Sequence, residues 1–445
     1  MRDLIVLAIV FATLPVIVFR PYFGLLTYSW LAYMRPQDMT WGMSRWLPLS
    51  QWVAIAMLVG ILVTLGRERL MVVKTQTVLL ILLVLWISLS VMTAVLPEMS
   101  QEVYGHYWKG IAIALLTTGL VRDRSRFRLL FLLIPFSIGF LGAKRGLVGL
   151  LRGGIQYNDG PGGLMSDNNS FALMLNMMLP LLVGIATTDE RKWVRVTAGV
   201  MAALCVPTIF FTFSRGGLLT LCVVSALLLW RSKHRLVVAG LMAAVLIGFL
   251  ALTSETVTDK YLNRASTIDN YEEDGSAQGR INAWKTSWYV FLDYPLVGVG
   301  PNNLAAVFRR YSPEMDRFRV AHNAYFQVLA ESGLPALLLF LGAIGAALWR
   351  MEVLRRWCQK STAQPWVEVQ ARMLQIAIVA YMTGSMFLNT AYNEVIYHLI
   401  ALTVCLEVVA QTSEASAQAQ AEDVPWWKRT APQTAPASAT GMGNA

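Results

Sequence analysis

Charge-poor apolar runs recur along most of this 445-residue chain, and they restrict its fold more than any other feature. A bilayer core of about 30 Å is crossed by roughly 20 apolar residues in a helix. Lipid offers the backbone no hydrogen-bond partners, so a spanning run must satisfy its own peptide groups as a helix. Thirteen candidate segments are readable: 4–19, 21–34, 50–66, 76–96, 109–121, 127–143, 170–187, 195–213, 216–231, 235–253, 323–349, 371–390 and 394–410. Several are short and adjacent ones can form one bent element, so the expectation is about twelve transmembrane helices in an all-α polytopic membrane protein. Only 14% of residues are charged, against about 25% in an ordinary soluble domain. That is too few to cover a water-facing surface.

The net charge of +10 would suit a nucleic-acid partner in a soluble protein. Here the basic residues sit in short loops between apolar runs, where they act as topology signals, and no nucleic acid is expected. Clusters at Arg67, Arg69 and Lys74, at 122–128, at 231–235 and at 350–360 all become cytoplasmic together. The loops around 35–49, 97–108 and 144–169, the Ser214–Gly217 turn and residues 254–321 then face outward. Thirteen full spans would put the N-terminus outside as well, whereas a half-crossing first pair would return it to the cytoplasm.

The expected organisation is transmembrane helices over 1–253, an extramembrane loop over 254–321, further helices over 322–410 and a disordered cytoplasmic tail over 411–445. The loop has 68 residues with eight Lys/Arg and nine Asp/Glu. Arg280, Trp284 and Trp288 repeat every four residues, which predicts a helix ending at Asp293-Tyr294-Pro295 and suited to a membrane surface. The tail is rich in Ala, Gln, Ser, Thr and Pro. The four cysteines, Cys205, Cys222, Cys358 and Cys405, form no CxxC pair, and the histidines have no metal-ligand spacing. No metal and no cofactor is expected.

Few polar residues are placed for chemistry. Arg215 lies between two apolar runs in Phe211-Thr-Phe-Ser-Arg-Gly-Gly217. It is either a snorkelling side chain or the forked donor of an anion site. His322 opens the helix after the loop, as a structural cap or as a base that accepts a proton near neutral pH. Asn323, Tyr325, Arg317 and Arg319 surround it, and Asn323 or Glu331 is placed to orient its ring. Arg280 either joins the same anion site or touches lipid phosphates. The glycine-rich 152–163 stretch reads as a flexible outward loop, and Asp167-Asn168-Asn169 as a helix cap.

The series Gly298-Val-Gly-Pro-Asn-Asn303, His322-Asn-Ala-Tyr325 and Glu331-Ser-Gly-Leu-Pro335, together with Ser214-Arg215-Gly216, resembles the O-antigen ligase and polymerase superfamily. Pro21-Tyr-Phe-Gly24 and Arg35-Pro-Gln-Asp38 also look like the O-glycosylation ligases associated with exosortase systems. The resemblance implies a metal-independent inverting glycosyltransferase of the GT-C type in the bacterial inner membrane, with its active site facing the periplasm and one large helical periplasmic loop. It implies an undecaprenyl-diphosphate-linked glycan as donor and a sugar hydroxyl of lipid A-core as acceptor in lipopolysaccharide synthesis. His322 matches the family's catalytic histidine, and Arg215 and Arg280 match its diphosphate-binding arginines. Polymerisation onto a second lipid-linked repeat, or transfer to a protein Ser/Thr, uses the same donor chemistry. A lipid-linked glycan transporter would instead need ionisable residues at mid-membrane, and few are present.

Overall fold

A computed structural model describes residues 1–232, 235–253, 275–312, 321–360 and 364–422. Each of the thirteen apolar segments overlaps an α-helix. They are α1 (Arg2–Phe19), α2 (Pro21–Tyr33), α3 (Leu49–Val63), α4 (Thr75–Met92), α5 (Pro97–Leu120), α6 (Arg124–Leu151), α7 (Asn168–Thr188), α8 (Lys192–Phe211), α9 (Arg215–Arg231) and α10 (Arg235–Leu252). The chain continues through α11 (Gly275–Asp293), α12 (Leu304–Tyr311), α13 (Ala324–Lys360), α14 (Pro365–Gly384) and α15 (Glu394–Glu422). Among the described residues eight of these fifteen helices are long and apolar enough to cross a membrane: α1, α4, α6, α7, α8, α10, α13 and α15. The chain is a multi-pass membrane protein.

The elements differ from the sequence reading in four places. Residues 159–167 are not a loose loop but a hairpin, in which Asp159–Gly162 pairs antiparallel with Met165–Asp167. The apolar segment from 323 is broken at Gly333 (φ 79°, ψ 177°), so α13 is a short helix kinked onto a long one. The last helix runs past residue 410 to Glu422, beyond the boundary expected for a disordered tail; residues 423–445 lie outside the described ones. Helices α5 and α6 extend well past their apolar segments, because a helix leaving the bilayer keeps its backbone bonds whether its side chains meet lipid or water.

Helices α15 and α7 form the centre, with 83% and 78% of their most apolar window buried, while α10 has 6% and lies at the rim. Hydrogen bonds and ion pairs sort the helix ends onto two faces. On one face Arg126 pairs with Glu68 at 3.1 Å, Arg128 with Asp189 at 2.8 Å, and Lys74 with Glu407 at 3.0 Å. Arg128 and the amide of Arg191 hold the Asp189 carboxyl below its ordinary value, against the opposing pull of its burial. On the opposite face Ser90 Oγ donates to the Glu331 carbonyl, Asn168 Nδ2 to the Thr212 carbonyl and Tyr325 OH to the Met382 carbonyl. Asp3 accepts the amides of Met43 and Ser44, so the start of α1 lies beside the loop that follows α2.

Candidate active site

On the opposite face α8 ends at Phe211 and the chain turns through Thr212 and Phe213, the latter at φ 52°. Ser214 then caps α9, its Oγ accepting the Gly217 amide at 3.0 Å. Arg215 is therefore the first residue of α9 and is exposed, at the helix end whose free amides favour an anion. Across from it Asp167 caps α7 by accepting the amides of Asn169 and Ser170. The capping expected of this stretch thus falls to Asp167. Asn176 Nδ2 donates to the Gly217 carbonyl at 3.0 Å and ties the two helices together. Gly217 permits that approach, because a Cβ there would lie 2.6 Å from the Ala172 Cβ.

Between these helix ends opens a cleft of about 350 Å³. Asn168, Asn169, Ser214 and Arg215 line one part of it, and Phe387 and Leu388, from the turn after α14, line another. Arg280 enters from α11, so Arg215 and Arg280, 65 positions apart in the sequence, share one cavity. Charge-assisted donors converging from two elements suit a phosphate-type anion. The lining amides and hydroxyls suit a polar ligand such as a sugar.

The position of Arg280 follows from packing one turn further along α11. Trp284 Nε1 donates to the Ala321 carbonyl at 3.0 Å, and its ring stacks on Phe326 with centroids 5.9 Å apart. Trp284 is thus engaged within the protein, whereas Trp288 is exposed; the Trp-bearing face is not wholly a membrane-surface face. These contacts clamp α11 to the segment that carries His322. His322 is half-buried, at φ 45°, and is not among the described residues lining the cleft. It stands one residue after the carbonyl that receives Trp284.

Asn323 caps α13, its Oδ1 accepting the amides of Tyr325 and Phe326, so this side chain serves the helix start. Tyr325 OH donates to the Met382 carbonyl at 2.8 Å, joining the His322 segment to the last turn of α14, just before the cleft-lining Phe387 and Leu388. Glu331 is buried and accepts from Tyr392 OH at 2.8 Å, toward the start of α15. Arg317 and Arg319 lie outside the described residues. The amides of Val299 and Gly300 donate to the carbonyls of Ala330 and Glu331, so the Gly-Val-Gly and Glu-Ser-Gly elements bind each other by their backbones. Among the described residues no three His, Cys, Asp or Glu side chains are grouped as metal ligands.

Sequence reasoning did not find Thr220, Phe387 and Leu388 in the cleft, and it read Asn168 and Asn169 only as part of a cap. Asn168 and Asn169 carried a signal, two amides in tandem after a capping Asp. The apolar Phe387 and Leu388 carried none.

Residues 200–341, which include Arg215, Arg280 and His322, match the family model described as O-antigen ligase. Residues 1–179 match a family of unknown function. No curated protein matches the chain. Over residues 200–341 this multi-pass membrane protein is therefore similar to the O-antigen ligase family, whose activity is ligase/polymerase-type glycan transfer.

Proposed function

We propose that this chain is an O-antigen ligase of GT-C type, which moves a glycan from undecaprenyl diphosphate to a sugar hydroxyl of lipid A-core with inversion at the anomeric carbon. His322 is the general base, and Arg215 and Arg280 hold the diphosphate. The observation that carries the reading is the meeting of Arg215 and Arg280 in one polar cleft at a single membrane face. The arginines gathered on the other face support reading that face as cytoplasmic by the positive-inside tendency, and with it a periplasmic cleft.

The chemistry follows from these positions. The acceptor hydroxyl is a weak nucleophile until its proton is taken, and the imidazole of His322 takes it. The acceptor oxygen bonds to the anomeric carbon as the bond from that carbon to the diphosphate oxygen breaks. The electron pair leaves with undecaprenyl diphosphate. Two fixed guanidiniums stabilise the charge that develops there without having to reorganise. In-line attack from the side opposite the leaving group inverts the centre. The clamp of Trp284 on Ala321 and the anchor of Tyr325 on Met382 keep base and cations in register.

The test is transfer in vitro by purified full-length chain, with a lipid-linked donor and with lipid A-core, a lipid-linked repeat and a pilin-like protein as competing acceptors. The expected product is glycosylated lipid A-core. Arg215→Gln and Arg280→Gln are each expected to lower turnover by roughly 10²–10³-fold. Wild-type turnover in both variants, or product on another acceptor alone, would overturn the reading.

A further inference from the structure

We infer that Arg35, Lys144 and Arg145 form a second anion pocket, which holds the phosphate of a lipid headgroup beside the cleft. A separate cavity of about 170 Å³ opens between the end of α2, the end of α6 and the 159–167 hairpin. Its polar lining is Arg35, Asp38, Lys144 and Arg145, and its apolar lining includes Met34 and Leu141. Arg35 pairs with Asp38 at 2.5 Å. Among the described residues Lys144 and Arg145 have no carboxylate within salt-bridge distance, so the pocket keeps a net positive charge.

That charge is misplaced for a topology signal. The arginines of the opposite, basic face meet carboxylates at Glu68, Asp189 and Glu352. Lys144 and Arg145 lie on the other face, the one on which the cleft opens. Unpaired cations at a membrane boundary are costly unless an anion or water meets them.

Arg145 is also held in place. It lies over the rings of Tyr157 and Phe171, at 5.0 and 5.2 Å, and one of its five N–H donors reaches the Asp159 carbonyl. Tyr157 OH donates to the Arg145 carbonyl at 2.8 Å, and burial pushes this phenol up from its ordinary value, so it stays protonated as a donor. A fixed guanidinium and a mobile ammonium against a wall of Met and Leu match a phosphate that enters with an acyl chain attached.

The pocket is adjacent to the cleft but distinct from it. Phe171, under Arg145, is on α7, whose first turn lines the cleft, and the Tyr157 amide donates to the Phe211 carbonyl at the end of α8. All of the cavity's lining residues fall within 1–179, the stretch that matches a family of unknown function. The inference gives that stretch a role and uses neither His322 nor Arg215.

The experiment is lipid titration of detergent-purified full-length chain by native mass spectrometry. The lipids are diphosphoryl lipid A, phosphatidylglycerol and a phosphate-free glycolipid. The variants are Lys144→Gln, an exposed change that leaves packing intact, and Lys144→Gln with Arg145→Gln. Wild type is expected to retain one phosphate-bearing lipid that the phosphate-free lipid does not displace. Lys144→Gln weakens retention severalfold and the double variant by about tenfold or more. Arg215→Gln leaves this retention unchanged, which separates failure here from failure of the transfer mechanism. Preference for lipid A identifies the occupant as the acceptor's own phosphate; equal or greater retention of phosphatidylglycerol identifies a membrane headgroup. Wild-type affinity of both variants for both lipids would overturn the inference.

Discussion

Gly333 shows how much a single position carries. Its φ of 79° belongs to the left-handed region, and a Cβ there would lie 1.9 Å from the Leu296 carbonyl oxygen. The Leu334 amide donates to the Pro295 carbonyl at this crossing, so the kink in α13 and the turn after α11 fix each other. Gly333→Ala is expected to destabilise the protein by about 2 kcal/mol or more, read as a fall in thermal midpoint in detergent. Asn303 works on the same side: its Oδ1 accepts the Leu96 amide at 2.6 Å and its Nδ2 donates to the buried Ser100 Oγ at 2.6 Å. The sequence made these residues visible as an ordered series of turns but not as partners. Pairing across more than thirty positions leaves no periodic trace. Arg215 stood out because an arginine between apolar runs is costly and demands a reason, and Arg280 because it opens the run of Trp284 and Trp288. Asn168 and Asn169 were hidden by the cheaper explanation of a cap, which Asp167 supplies.

Among elements, the positions of the apolar helices were legible because lipid imposes one periodicity and one length scale on a span, but about twelve spans were expected and eight of the described helices are long and apolar enough to cross. Their packing was not, since it depends on which small residues face each other. Helix α11 has the largest consequence for chemistry, because it brings Arg280 to the cleft through Trp284. Trp284→Ala removes the donor to Ala321 and the stack on Phe326. It is expected to lower transfer at least roughly tenfold, as a misplaced catalytic group does, with a smaller change in thermal midpoint than Gly333→Ala. On the basic face Glu407, 2% exposed, accepts from Lys74 at 3.0 Å and from Arg350 Nε at 3.1 Å, joining α4, α13 and α15. Glu407→Gln is expected to cost about 1–3 kcal/mol, since both cations keep enough exposure to re-solvate. Full wild-type stability in that variant would show the triad to be incidental.

At the scale of the whole molecule, basic residues paired with carboxylates gather on one face and the cleft opens on the other. Of the four cysteines only Cys222 is exposed, so a Cys222→Ser background suits a labelling test. Lys144→Cys is expected to react with a membrane-impermeant maleimide on intact spheroplasts, and Arg356→Cys only after permeabilisation. The reverse pattern would invert the orientation. His322, one residue after the carbonyl that receives Trp284, is proposed as the group that takes the acceptor proton. The most direct measurement is single-turnover transfer by His322→Ala with purified donor and acceptor, with donor binding measured in parallel. Donor binding is expected to be unchanged and the transfer rate lower by about 10²–10⁴-fold. Transfer at the wild-type rate would contradict it.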